Sequence, residues 1–292
     1  VELQGRIEAV RKQGLGLAAI SYDPPEILSA FSRQRGISFP LLSDTGSETI
    51  KRYGILNTVV AEALGPDAKD RAVADDVKKY VSVVGANARM AGIPFPGTFI
   101  VGRNGRVTSR FFEESYIERN TSSSILMRVG RTKAVTGTEV ATEHLDVKTY
   151  PSESAVAVGN RFAIAFDVTP KPRIHVYAPG AAGYRVVGVT ITPQPFVHVL
   201  PLTYPKSEIY FFKPLNERVP VYQKPFTLVQ ELTLDGQPDA QAAFRGKDSL
   251  TLTGTLDYQA CDDKVCFNPA SLPLTWTLSL RPLIREPPTP RQ

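Results

Sequence analysis

Only two of the 292 residues are cysteines, which excludes a disulfide-dense miniprotein. No apolar run approaches the ~18 to 20 residues that a membrane-spanning helix requires, so no membrane span is expected. Excess charge of one sign is also missing. Residues 1–120 carry 16 basic against 14 acidic side chains and the remainder 18 against 15, so the net +5 is spread thinly. A nucleic-acid-binding patch is therefore not expected. The three histidines, His144, His175 and His198, are scattered, leaving the cysteines without further metal ligands nearby in sequence. No metal site is expected. Val1 stands where a Met would, and no charged segment followed by an apolar one succeeds it, so the chain is expected to lack its natural start. At ~150 residues per domain, the length suggests two domains.

Residues 1–117 read as alternating helix and strand. Leu3, Ile7 and Val10 at i, i+4, i+7 mark an amphipathic helix stopped by Gly14. Leu15 to Ser21 reads as a buried strand, and Asp23-Pro24-Pro25 opens a helix that ends near Gly36. A second strand is expected at Phe39–Asp44 and a short helix at Ser47–Tyr53. The polar segment 57–91 reads as a helical insertion, most clearly over Asp75–Val84. Thr98–Val101 and Arg106–Phe112 flank an Asn104-Gly105 hairpin turn. This order implies an α/β domain.

Residues 118–145 form a polar linker, with a helix at Ser123–Val129. Beyond 146 the period becomes 2: Leu272, Leu274, Trp276, Leu278 and Leu280 alternate with polar residues or proline, as do Leu250, Leu252, Leu256 and Tyr258. Similar short runs at 155–158, 162–168, 185–192, 196–200, 208–212 and 226–234 predict an all-β sandwich over residues 146–281, each strand burying one face. Residues 282–292 form a Pro-rich tail.

Cys261 and Cys266 lie four residues apart, between the strand ending at Tyr258 and the one beginning at Leu272. A hairpin there brings the sulfurs within disulfide reach. Closing so small a loop contributes roughly 2 kcal/mol, against about 4.7 for a 100-residue loop, so the pair is a weak staple. Its setting beside charged residues suits a disulfide that another thiolate reaches. Asp262 and Asp263 raise the thiol pKa values and Lys264 lowers them, so sequence leaves open which sulfur is attacked.

Around these residues, Tyr258-Gln259-Ala260-Cys261-Asp262-Asp263-Lys264-Val265-Cys266-Phe267-Asn268-Pro269 resembles the active-site segment of the N-terminal domain family of the thiol:disulfide interchange protein DsbD. Ile174-His175-Val176-Tyr177-Ala178-Pro179-Gly180 resembles a second motif of that family. The resemblance implies an immunoglobulin-like sandwich whose catalytic Cys261 and Cys266, with Tyr258, Asp262, Asp263, Lys264 and Phe267 around them, exchange electrons with thioredoxin-fold proteins. It implies a periplasmic or other extracytoplasmic setting and a redox-active disulfide in place of a bound cofactor. It also implies an aromatic cap loop over the disulfide, for which 204–222, with Tyr210, Phe211 and Phe212, is the candidate. His175 reads as a structural residue rather than a general base.

In the first domain, Gly14–Ser21, Phe39–Asp44, Tyr53-Gly54-Ile55 and Pro96–Val101 with Gly105 resemble the thioredoxin-like alkyl hydroperoxide reductase/thiol-specific antioxidant group. Pro96 then falls at the position of the group's cis-proline. In that group the reactive cysteine opens the first helix, where the helix dipole lowers its pKa. Residues 1–150 contain no cysteine, so this domain as given cannot perform thiol chemistry.

The expected function is a thiol-disulfide oxidoreductase or electron relay, with thioredoxin-fold partners that include its own first domain when upstream cysteines are present. Two alternatives stand: a thiol-dependent peroxidase with a docking sandwich, and a non-catalytic binding or assembly protein whose disulfide is structural.

Overall fold

The computed structural model describes residues 2–57, 93–112, 119–128, 137–212 and 216–282. The chain divides into a unit ending at Ser122 and a second spanning Ser123–Leu283.

The first unit opens with α1 (Glu2–Lys12), whose Ile7 and Val10 are buried. Strand β1 (Ala19–Ser21) runs parallel to β2 (Leu41–Ser43), and α2 (Pro25–Arg35) connects them. A proline at its first position starts α2, and Gly36 ends it at φ +61°, where the absence of a Cβ removes the left-handed penalty. Pro24 occupies the N-cap, without a side-chain cap. After α3 (Glu48–Arg52), strands β3 (Gly97–Val101) and β4 (Val107–Phe112) form the hairpin expected at Asn104-Gly105. The Phe95 N–H donates to the Ile55 carbonyl at 2.7 Å. The expected insertion lies outside the described residues apart from Asn57, as does the tail beyond Pro282.

Among the described residues no peptide bond is cis, which corrects the expectation for Pro96. Pro94 bridges to Leu56, and Phe95 is tied to Ile55, so the chain is already extended where it enters β3. A trans linkage, the lower-energy isomer, suffices there.

Strand β5 (Arg119–Asn120) and helix α4 (Ser122–Arg128) precede three sheets. One runs β12 (Val197–Val199), β15 (Phe226–Leu234), β9 (Asn160–Pro170), β7 (Leu145–Pro151) and β6 (Thr138–Ala141). Because β6 pairs with β7, part of the expected linker is sheet. The second sheet runs β11 (Gly188–Ile191), β16 (Ser249–Tyr258), β18 (Ala270–Leu280) and β8 (Ala155–Val156). Helix α5 (Pro238–Ala243) follows β15. Between the two sheets, Phe162, Ile164, Phe166, Leu228 and Leu232 meet Leu252, Leu256, Leu274, Trp276 and Leu278.

The expectation of one buried face per strand fails at β9. Its larger residues enter the main core, while Ala163 and Ala165 on the other face pack with Met127 of α4, Tyr150 and Val229. Small side chains there leave room for a helix, so both faces of the strand are covered.

The third sheet, β13 (Glu208–Phe212), β14 (Glu217–Tyr222), β10 (His175–Tyr177) and β17 (Ala260–Cys261), carries the cysteines. Alternation divides its two faces. Val176, Tyr222 and Ala260 join the main core, whereas Tyr177, Val219, Val221 and Cys261 form a separate cluster with Tyr184, Tyr210 and Cys266 packed on it.

Candidate functional site

Cys261 and Cys266 are disulfide-bonded, with Cα atoms 4.1 Å apart. Strands β16 and β18 pair in register through Tyr258 and Ala270, and the chain between them leaves that sheet. Ala260–Cys261 adds instead to β10, so the cysteines sit on an excursion between two sheets rather than directly on the β16–β18 hairpin tip. Gln259 ties the excursion down: its side chain accepts from the Arg185 N–H at 3.0 Å and donates to the Phe267 carbonyl at 3.1 Å.

Within the excursion the four residues Asp262–Val265 make the tight turn expected from the spacing. The Asp262 N–H donates to the Val265 carbonyl at 2.9 Å, and Cys261 and Cys266 form a β-bridge across the neck. The Asp262 carboxylate accepts from the N–H groups of Val265 at 2.6 Å and Lys264 at 2.7 Å. These backbone bonds, with smaller help from Arg173 and Lys264, hold its pKa below the usual value. The charge expected to tune the thiols is thus engaged in shaping their loop. Asp263, Lys264 and Val265 are exposed.

The two cysteines are unequal. Cys261 is fully buried, while Cys266 is partly accessible beside Val265, which is 55% exposed. The Tyr177 hydroxyl lies 3.0 Å from Cys261 Sγ and 3.3 Å from Cys266 Sγ. Its ring stacks on Tyr184 at 4.0 Å, and the Tyr184 hydroxyl donates to Glu217 at 2.7 Å. Burial, reinforced by Tyr184 and Glu217, raises the Tyr177 pKa, so the hydroxyl keeps its proton. His175 pairs directly with Cys261 across the β10–β17 ladder and packs its ring 4.5 Å from that of Tyr210.

The candidate cap divides. Tyr210 packs on the cysteine cluster, and Phe212 is buried 6.5 Å from it, ring to ring. Phe211, on the opposite face of β13, is 44% exposed beneath the Arg218 guanidinium. Residues 213–215 lie outside the described set. Tyr258 faces the main core and donates to Thr142 at 3.1 Å, away from the sulfurs. Phe267 packs its ring 4.3 Å from His144. Among the described residues no group of three or more potential metal-ligating side chains occurs. Tyr177 and Tyr184 are the contacts that sequence reasoning missed. The i, i+2 spacing of His175 and Tyr177 was a usable signal for Tyr177, since it sets both on one face; Tyr184 had none.

Residues 146–273 match the family of the thiol:disulfide interchange protein DsbD, N-terminal. The DsbD N-terminal match contains the disulfide, Tyr177 and His175. Residues 1–110 match the AhpC/TSA family, so the two matches fall on separate parts of the chain. Among solved structures, the N-terminal periplasmic domain of ScsB from Proteus mirabilis is similar at 16% identity and a TM-score of 0.35, covering 47% of this chain and 49% of that one. The chain thus spans about half the length of that structure. The reduced DsbD N-terminal domain of Neisseria meningitidis is similar at 12% identity and a TM-score of 0.28, covering 40% of this chain and 82% of that one. No curated protein matches the chain in sequence.

Proposed function

We propose that the protein is an extracytoplasmic thiol-disulfide exchange protein working through Cys261–Cys266 with thioredoxin-fold partners. The observation that carries this reading is the pairing of one half-buried cysteine with one fully buried cysteine under an aromatic cover, within a region matching the DsbD N-terminal family. An incoming thiolate attacks Cys266 Sγ, the S–S bond breaks, and its electron pair leaves on Cys261. A second thiol of the partner then resolves the mixed disulfide and releases Cys266. Tyr177 supports the step, because a hydroxyl 3.0 Å from the departing sulfur hydrogen-bonds a thiolate more strongly than a disulfide. The match to the DsbD N-terminal family supports the location.

The reduction potential of Cys261–Cys266, from thiol trapping in glutathione and dithiothreitol buffers, tests this reading. A value within roughly −120 to −270 mV, the span of exchange proteins, is expected. A value below about −300 mV would make the disulfide a staple.

A further inference from the structure

Among the described residues, the buried face of the cysteine sheet holds one polar atom without a hydrogen-bond partner. His175 is 1% exposed, and its Nε2 is both buried and unpaired. Its position opposite Cys261 in an antiparallel ladder puts both side chains on one face, with Cβ atoms about 5 Å apart. A buried imidazole nitrogen left unpaired is destabilising. A sulfur that becomes a thiolate on that face would give it a partner.

We propose that His175 is the proton acceptor for opening of the disulfide, taking up one proton as Cys261 is released and holding it as an imidazolium against the buried thiolate. The proposal rests on the exchange reading above. The incoming thiolate forms a bond to Cys266 Sγ, the S–S electron pair passes to Cys261 Sγ, and water supplies the proton to His175. Re-forming the disulfide returns that proton. The released anion sits on a fully buried atom, where the Tyr177 hydroxyl supplies a hydrogen bond but no neutralising charge, and a buried charge without a counter-charge is strongly disfavoured.

The groups around the ring fit this role. Tyr177 lies on the same strand at 5.6 Å between ring centroids, Tyr210 approaches from β13, and β14 contributes Val219 and Val221 to the face. The carboxylate of Asp262 acts on the ring from beyond Cys261. Burial lowers the basicity of His175, with Asp262 opposing in part, so the ring is neutral while no thiolate is present. A new negative charge across the ladder reverses that balance.

The test is an NMR pH titration of the full chain labelled in its three histidines, oxidised and then reduced with a phosphine, with His175→Gln identifying the His175 signal. Reduction is expected to move the His175 titration upward by about one to three pH units and to leave the exposed His198 in place. In a Cys266→Ser background, thiolate absorbance from Cys261 at pH 7 is expected to fall about tenfold on adding His175→Gln. An unchanged His175 titration, a response at His144 instead, or an unchanged absorbance would overturn the proposal. A chemical reductant keeps the two readings separate. Exchange with thioredoxin-fold proteins can fail while His175 still responds, which sinks the relay alone; a silent His175 beside working exchange sinks this inference alone.

Discussion

The Tyr177 hydroxyl lies within 3.3 Å of both sulfurs of the Cys261–Cys266 disulfide, from a ring clamped against Tyr184. Tyr184 is anchored in turn by Glu217, so the donor nearest the reacting bond is pre-set rather than recruited. Tyr177→Phe keeps the stacking and deletes only this donor. A hydrogen bond to a charged group contributes about 1.5–3 kcal/mol, so the variant is expected to slow reduction by dithiothreitol at least tenfold at constant pH. Stopped-flow kinetics on both proteins check this, and equal rates would remove Tyr177 from the mechanism.

The unequal burial of the two cysteines predicts an asymmetric trap. Cys261→Ser leaves the accessible Cys266 and is expected to form a mixed disulfide with a thioredoxin whose resolving cysteine is replaced. Cys266→Ser leaves only a fully buried sulfur and should form the adduct at least ~10-fold more slowly. Non-reducing gels over time distinguish them, and the reverse ranking would reassign the attacked sulfur.

How much of this site could be read in advance depended on the range of the contacts involved. Local patterns were legible. The four-residue spacing located the tight turn, Asn104-Gly105 located a hairpin, and alternation located β16 and β18. Long-range pairings were not. Nothing near Cys261 in sequence says that Ala260–Cys261 leaves its neighbours for β10, since period-2 alternation is the same whichever strand lies alongside. For the same reason Tyr258 reads as part of the site yet points to the core, while Tyr177, 84 residues upstream, meets the sulfurs. The second buried face of β9 was hidden likewise: Ala163 and Ala165 are small enough to pass as surface residues until α4 is seen against them.

The Asp262 carboxylate predicts a loop whose order depends on a side-chain acceptor. Its two backbone bonds survive in Asp262→Asn and vanish in Asp262→Ala, so amide exchange at Lys264 and Val265 should accelerate only in the alanine variant. Because the folded pKa is depressed, the strengthening that the negative charge gives these bonds is present above the usual carboxylate value and lost as pH falls through the lowered one. Hydrogen exchange at acid and neutral pH checks both statements, and equal protection in the two variants would contradict them.

His175 predicts an acid sensitivity of the oxidised protein with a defined sign. Its folded pKa lies below the usual 6.5, so at lower pH the unfolded chain binds more protons than the folded one. Stability is therefore lost as pH drops below about 6.5, in the direction opposite to a histidine that gains an acidic partner. His175→Gln, which cannot charge, should flatten the urea midpoint between pH 7 and pH 5. A steeper acid loss in His175→Gln would show that the buried ring is charged in the folded oxidised state.

Trp276 supplies the reporter for the sandwich itself, as the sequence contains one tryptophan. Its Nε1 donates to Thr149 Oγ1 at 2.9 Å in the buried core, and the same hydroxyl donates to the Ala165 carbonyl at 2.9 Å. Thr149→Val preserves the side-chain shape but strands the indole N–H, so unfolding is expected to become easier by about 1–3 kcal/mol. The urea transition followed by Trp276 fluorescence measures the loss. An unchanged midpoint would mean that another acceptor, reached by a shift of the ring, replaces Thr149. Adding Phe166→Leu distinguishes that case, because it removes the ring packed edge-on against Trp276 at 5.6 Å. A ring freed to reach another acceptor should then respond differently from one still held by the hydroxyl.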